Sequence, residues 1–341
     1  MTDTAMTDTA MTDTAMSVTA ADVAEYDRFG PWIDEVVVPE DVPRLYRTFP
    51  LDLSATRVVL KVPRSIARRD ATAGMDLYDH LVILERESLT LLSRHVAMAG
   101  ARERQGEDPG YGVLTVALAD VVAIRDDLNL LEGRLTVSTA AGSSITVPYN
   151  GSAHDMASRL VNELRAAAMT DRVTPVGLAL LAVGSTNADV AALPDPGSAD
   201  THLVSRFLEL RHDNEGLVVW ASHGRRRVHP GHTGLEGLVS RVSHVASPAT
   251  MHGLAVVADA NTLEVLGRRA SLVRGRNPDY SSSRLVIPLG AIDRLALSAH
   301  PVYPDATTVT LGAGDWATDI HVPNDSAASH LFSAASRSVA S

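Results

Sequence analysis

Ser88-Leu89-Thr90-Leu91-Leu92-Ser93-Arg94 returns later in the chain as Thr262-Leu263-Glu264-Val265-Leu266-Gly267-Arg268. Three further matches follow in the same order. Leu118, Val121 and Ile124 have the spacing of Leu289, Ile292 and Leu295. Ile145-Thr146-Val147-Pro148-Tyr149-Asn150 returns as Asp319-Ile320-His321-Val322-Pro323-Asn324, with one residue missing. The segment Val58 to Arg69 can be laid over Val218 to Val228. One such match means little, but four in one order imply a duplicated unit. The 341 residues are also the length of about two ordinary domains.

Each unit reads as β-rich with a helix at its end. Leu81 to Leu84 and Leu89 to Leu92 flank Glu85-Arg86-Glu87, a hairpin signal. Val113 to Ile124 holds one or two further strands. Leu135 to Ser138 and Ile145 to Val147 alternate with period two around Ala141-Gly142-Ser143, a second hairpin. Ser152 then caps a helix with Met156, Leu160, Val161 and Leu164 on one face, and 326–338 is its weaker counterpart, anchored by Leu331 and Phe332. Before the first unit, Thr19 caps a helix that Gly30 and Pro31 end, and a short helical turn follows Asp41. The expected organisation is a disordered repeat of Met-Thr-Asp-Thr-Ala over 1–17, a helical segment over 18–48, units at 49–170 and 203–341, and a Gly- and Pro-punctuated linker over 171–202 whose apolar Leu178 to Val183 reads as either an extra strand or a helix turn.

Composition removes whole classes of chemistry. There is no cysteine, which excludes disulfides, thiolate metal sites and cysteine nucleophiles. Lys61 is the single lysine; it is flanked by Leu60 and Val62, so no phosphate-binding Gly-Lys-Ser/Thr loop exists, and any Schiff base would fall to Lys61. The net charge of −11 opposes general nucleic-acid binding. The longest apolar run, about 176–184, is far short of the ~20 residues that span a bilayer. The N-terminus lacks a basic region followed by an apolar one. These readings predict a cytoplasmic chain with no cofactor.

The order of these elements, with "Leu-Ala-Asp-Val-Val-Ala-Ile" leading out of one strand and "Val-Pro-Tyr-Asn" breaking into the last helix, resembles bacterial pleckstrin-homology-like domains. The resemblance spans roughly 50–168 and 203–338. It implies a mainly β (α+β) fold: two bent antiparallel sheet sandwiches, or partly open barrels, each capped by a C-terminal helix. In that family the first hairpin loop carries basic residues when an anion is bound. The corresponding residues here are Arg64, Arg68 and Arg69 in the first unit and Arg225, Arg226 and Arg227 in the second. An Arg fork suits phosphate because it makes two parallel hydrogen bonds, although charge runs more often mark solvated faces. The second unit departs from the pattern in a Gly-, His- and Ser-rich insertion near 223–250.

Other candidates are weaker. His223, His229, His232 and Glu236, with His244 and His252 beyond, place metal-ligand types in one segment, but flexible glycines separate them and no metal is expected. There is no Gly-x-Ser-x-Gly elbow. Asp126-Asp127 reads as a turn, Tyr78-Asp79-His80 as a solvent-facing strand start, and Trp220 and Trp316 as packing residues. The leading expectation is a non-enzymatic binding or scaffold protein that pairs with a protein partner or with itself. The alternatives are a peripheral membrane or anionic-ligand sensor using the Arg loops, with anionic lipid as partner, and a metal-dependent enzyme using the His-rich segment.

Overall fold

The computed structural model describes residues 18–95, 110–168, 173–187, 200–231, 249–275 and 280–340. The Met-Thr-Asp-Thr-Ala repeat lies outside them. Strands make up 41% of the chain, in several antiparallel sheets, so the fold is mainly β with helices added, and no closed barrel forms among the described residues.

The first half begins with helix α1 (Ala20–Arg28), started by a capping box in which Thr19 accepts from the Asp22 amide and Asp22 accepts from the Thr19 amide. Two 3₁₀ turns follow, at Pro39–Asp41 and Arg44–Tyr46. A five-stranded sheet comes next, in the order β1 (Asp34–Glu35), β2 (Thr56–Pro63), β3 (Tyr78–Glu85), β4 (Ser88–Arg94), β5 (Tyr111–Ala117). The 3₁₀ turn Leu118–Asp120 leads into the meander β6 (Val121–Asn129), β7 (Glu132–Thr139), β8 (Ser144–Asn150), and then helix α2 (His154–Ala167). Leu160, Val161 and Leu164 of α2 enter a core built from both sheets, each burial contributing about 1.5–3 kcal/mol. The outer face of the first sheet is covered by the N-terminal segment through Phe29, Val36, Val42 and Tyr46.

The second half runs through the same order. Strands β9 (Val218–His223), β12 (Leu254–Ala258), β13 (Thr262–Gly267) and β15 (Ser281–Pro288) are neighbours in one sheet. The 3₁₀ turn Leu289–Ala291 leads to β16 (Arg294–Ala299), β17 (Ala306–Ala313) and β18 (Trp316–Pro323), and helix α5 (Ala327–Ala340) closes the core with Leu331, Phe332 and Ala335. The insertion between β9 and β12 is not all loop. Its β10 (Arg226–Val228) and β11 (Ala249–Met251) pair with β14 (Leu272–Arg274) in a small sheet over Val228, Met251 and Tyr303.

Two expectations need correction. The segment expected as a linker contains helix α3 (Pro175–Asn187), whose Val176, Ala179 and Leu180 lie in the second core. Its apolar residues surround the whole helix, so no periodicity marks it. Its glycines serve close packing rather than punctuation: a Cβ on Gly184 would stand 2.2 Å from the Trp220 ring, and one on Gly177 2.2 Å from the Leu289 carbonyl oxygen. The β pattern also does not restart at Leu203. Residues Thr201–Asp213 form helix α4, with Leu203, Phe207 and Leu210 on its buried face, before the strands begin.

The halves are continuous with each other. Strand β6 of the first pairs with β15 of the second, so one seven-stranded sheet runs β8-β7-β6-β15-β13-β12-β9. A buried ionic cluster backs this joint. Glu264 Oε1 accepts from Arg165 Nε of α2 at 2.7 Å, and its Oε2 accepts from Arg284 Nε of β15 at 2.8 Å. Arg165 also reaches Asp259, and Arg284 donates to Asn162 Oδ1 at 2.7 Å.

Candidate functional site

A cleft of about 710 Å³ opens at the side of the first half. Three distant stretches line it. The β2–β3 connection supplies Arg64, Ile66 and Arg68; the β6–β7 hairpin and β8 supply Asp127, Arg134 and Tyr149; the β13–β14 turn supplies Arg269. Arg269 belongs to the second half and reaches the cleft because β15 lies against β6.

The arginines differ in how they are held. Arg64 Nη1 donates to the Asp76 carbonyl at 3.0 Å, and its Nε stands 4.0 Å from Asp79. Arg68 donates to the carbonyls of Phe29 and Asp27 and lies over the Tyr26 ring, fastening the N-terminal segment to the cleft wall. Arg134 and Arg269 are exposed, and neither guanidinium has an ion pair among the described residues. Opposing them are Asp79, Glu132 and Asp127, and the buried Oδ1 of Asp127 has no hydrogen-bond donor among the described residues. The site therefore offers forked cationic donors together with one carboxylate oxygen that needs a donor.

The titratable groups at the back wall are held neutral. Burial pushes His80 below its ordinary value, against the pull of Asp79. His80 Nδ1 is 3.0 Å from Ser93 Oγ. That pair is not a relay, because the neighbouring Asp79 carboxylate is held by Arg94 at 2.7 Å instead of orienting the imidazole. Burial, then the charge and hydrogen bond of Asp126, push the Tyr149 phenol far up; its hydroxyl donates to Asp126 Oδ1 at 2.6 Å. Asp126 and Asp127 thus sit in strand β6 rather than in the expected turn, and Tyr78 is buried rather than solvent-facing.

Of the six arginines singled out from sequence, the structure brings Arg64 and Arg68 to the cleft. Arg69 points to solvent beside Asp70, 3.8 Å away. Arg225 contributes its backbone amide to Asp200 Oδ2 at 2.9 Å, while Arg226 and Arg227 lie on strand β10, where Arg226 pairs with Asp325 at 2.6 Å. None of these three lines the cleft. Arg134 and Arg269 were not legible as site residues, because only the β6–β7 and β6–β15 pairings bring them there.

The remaining candidates resolve separately. His232, Glu236 and His244 fall outside the described residues. His229 is exposed, whereas His223 and His252 are buried, and no group of three metal-ligand types forms among the described residues. Lys61 is buried beneath the N-terminal segment; its amine donates to the Asp41 carbonyl at 3.2 Å and lies 5.1 Å from the Tyr78 ring centre. Burial and then Arg28 lower its pKa, but it does not border the cleft. Trp220 is core, as expected. Among the described residues no helix is long and apolar enough to cross a membrane.

Comparison with protein-family models, with curated proteins and with solved structures gives no match.

Proposed function

We propose that the chain is a non-enzymatic binding protein built from two tandem pleckstrin-homology-like modules, and that the first module's cleft takes a small ligand carrying an acidic group. The observation that carries this reading is the convergence of Arg64, Arg68, Arg134 and Arg269 from three chain segments on one concavity. Convergent polar groups in a well-formed pocket are the usual mark of a binding site. The unpaired Asp127 oxygen favours a ligand that also carries a hydrogen-bond donor. The test is calorimetric titration of wild type and an Arg134→Ser/Arg269→Ser double variant with inorganic phosphate and with inositol hexakisphosphate. Wild-type binding that falls with added salt, and at least about tenfold in the variant, supports the cleft. Equal binding by both proteins, or none by wild type, removes it.

A second reading, docking on anionic membranes, has its own observation. Leu130 and Leu131 form the tip of the β6–β7 hairpin at the rim of the cleft, 67% and 66% exposed. Leu130 holds φ = 54°, a left-handed backbone that costs a non-glycine residue of order 1 kcal/mol. Two exposed leucines beside arginines match the mixed apolar and cationic contact that a lipid surface accepts. Cosedimentation with anionic vesicles, lost in a Leu130→Ser/Leu131→Ser variant, supports this reading. Its absence at low salt rules the reading out.

A further inference from the structure

The two kinds of strand that form the joint between the halves each occur a second time as a sheet edge among the described residues. Within the chain, β15 pairs with β6: Arg284 lies opposite Asp126, Leu285 opposite Arg125, and Val286 opposite Ile124. By position in the repeated element order, β5 in the first half corresponds to β15, because each is the strand that runs into the 3₁₀ turn, Leu118–Asp120 or Leu289–Ala291. By the same order, β16 in the second half corresponds to β6, because each is the strand that leaves that turn. Both β5 and β16 are edge strands of their sheets among the described residues. Among the described residues the molecule therefore carries both sides of its own internal joint a second time, as two unpaired edges.

Exposure marks the difference that pairing makes. Leu285 in the joint is 3% exposed, whereas Leu114, at the matching place on β5, is 47% exposed and its neighbour Val113 54%. An edge strand with adjacent exposed apolar residues is a template for another strand. Transposing the internal register onto the free edges sets Val113 against Leu297, Leu114 against Ala296, and Thr115 against Leu295. No charge faces a charge in that register, and aliphatic cross-strand pairs stabilise a ladder.

We propose that β5 of one copy of this chain pairs antiparallel with β16 of another, repeating between molecules the contact that β15 and β6 make within one. The partner is a second copy of this chain, because it alone carries the complementary edge in the register already present inside the molecule. Each copy offers one β5 edge and one β16 edge, so two copies that satisfy both edges reciprocally close as a dimer, and copies that satisfy one edge at a time extend further. The net charge of −11 makes copies repel one another, so self-association strengthens as salt rises. Anion binding in the cleft changes with salt in the opposite sense, and the two proposals stand or fall independently.

The test is light-scattering-coupled gel filtration over about 1–100 μM, a range that brackets weak association. It compares wild type, Leu114→Lys, Ala296→Glu, and an equimolar mixture of the two variants. Both substituted positions are exposed, so the variants should fold, which thermal melts by circular dichroism check. The expected result is a wild-type mass that climbs with concentration to at least twice the monomer. Each variant alone should weaken association at least about tenfold, and the mixture should recover it, because a mixed pair has one unaltered Leu114–Ala296 contact and a Lys–Glu pair in the other. A wild type that stays monomeric at about 100 μM would overturn the proposal. So would association that neither substitution weakens, or single variants that weaken it without recovery in the mixture.

Discussion

Replacing Glu264 with Gln tests whether the ionic cluster at the joint holds the halves together. The carboxylate is 0% exposed and lies between two guanidiniums. Arg165 Nε and Arg284 Nη2 share Oε1 at 2.7 and 3.2 Å, and Arg284 Nε holds Oε2 at 2.8 Å. In Glu264→Gln the Arg284 guanidinium loses its ion pair and keeps only neutral acceptors, Asn162 Oδ1 and the new amide oxygen, while Arg165 keeps Asp259. Removing one partner of a buried ion pair costs roughly 3–5 kcal/mol, because a charge is left behind without compensation. That is a third or more of the ~5–15 kcal/mol by which a protein is ordinarily stable. Urea unfolding followed by tryptophan fluorescence should show the midpoint falling with the slope unchanged. The fluorescence reports the second core through Trp220, while α2 and β6 lie on the other side of the joint. The companion is a triple variant, Arg165→Met/Glu264→Leu/Arg284→Met, which removes Glu264 with both its arginines and leaves Asp259 to the Asn214, Asn261 and Thr262 donors that already hold it. It should regain most of the lost stability, since apolar replacement of a whole buried cluster is often neutral or favourable. A loss below about 1 kcal/mol in Glu264→Gln would refute the reasoning, as would a triple variant less stable than the single one.

Other consequences are more local. Burial holds His223, and likewise His80 and His321, below the ordinary histidine value of 6.5. The folded state therefore binds fewer protons than the unfolded one as pH falls below 6.5, and the stability these groups contribute is present above that pH and lost on acidification. Urea midpoints measured from pH 7 to 5 should decline, and less steeply in His223→Asn. For Asp259, burial alone would raise the carboxyl, but the Asn261 and Thr262 amides and Arg165 outweigh it and hold it below 3.8, so its contribution is lost as pH falls from about 4 through that lower value. Gly184→Ala should cost about 1–3 kcal/mol by thermal melting, because the new methyl meets the Trp220 ring. Leu130→Gly should leave stability unchanged or raise it by up to about 1 kcal/mol, since it relieves the left-handed φ, with denaturant midpoints as the measure.

The fold was legible where hydrophobic period and turn chemistry agreed. The Glu85-Arg86-Glu87 and Ala141-Gly142-Ser143 hairpins, the Thr19 cap, and the Leu160/Val161/Leu164 face all formed as read, because each is a local rule of spacing. Helix α3 was not legible, since a helix apolar on every side and carrying two glycines looks like a linker until its neighbours are known. Half of the cleft was legible for a similar reason. Arg64 and Arg68 follow a strand in a basic run, whereas Arg134 sits on the exposed face of a hairpin and Arg269 is 135 positions further on, brought near only by the β6–β15 pairing. Arg225, Arg226 and Arg227 lie away from this cleft, and Arg226 and Arg227 alternate on a short strand, so their side chains diverge.

The positions at which the two halves differ carry the same argument further. At the internal joint the second half has Glu264 and Arg284, and the first half supplies Arg165 from α2. At the matching places of the repeat, β4 has Thr90, bonded to Thr115 across the sheet, and β5 has Val113. A buried three-charge cluster favours one register, since a slip of one residue would turn each side chain to the opposite face and leave its charge unpaired. An uncharged edge carries no such penalty and can form and separate. The polar version of the contact therefore lies where the chain joins its own halves permanently, and the apolar version lies where another copy would dock. This division is what a strand pairing used once for folding and again for assembly requires: specificity in the first use, and reversibility in the second.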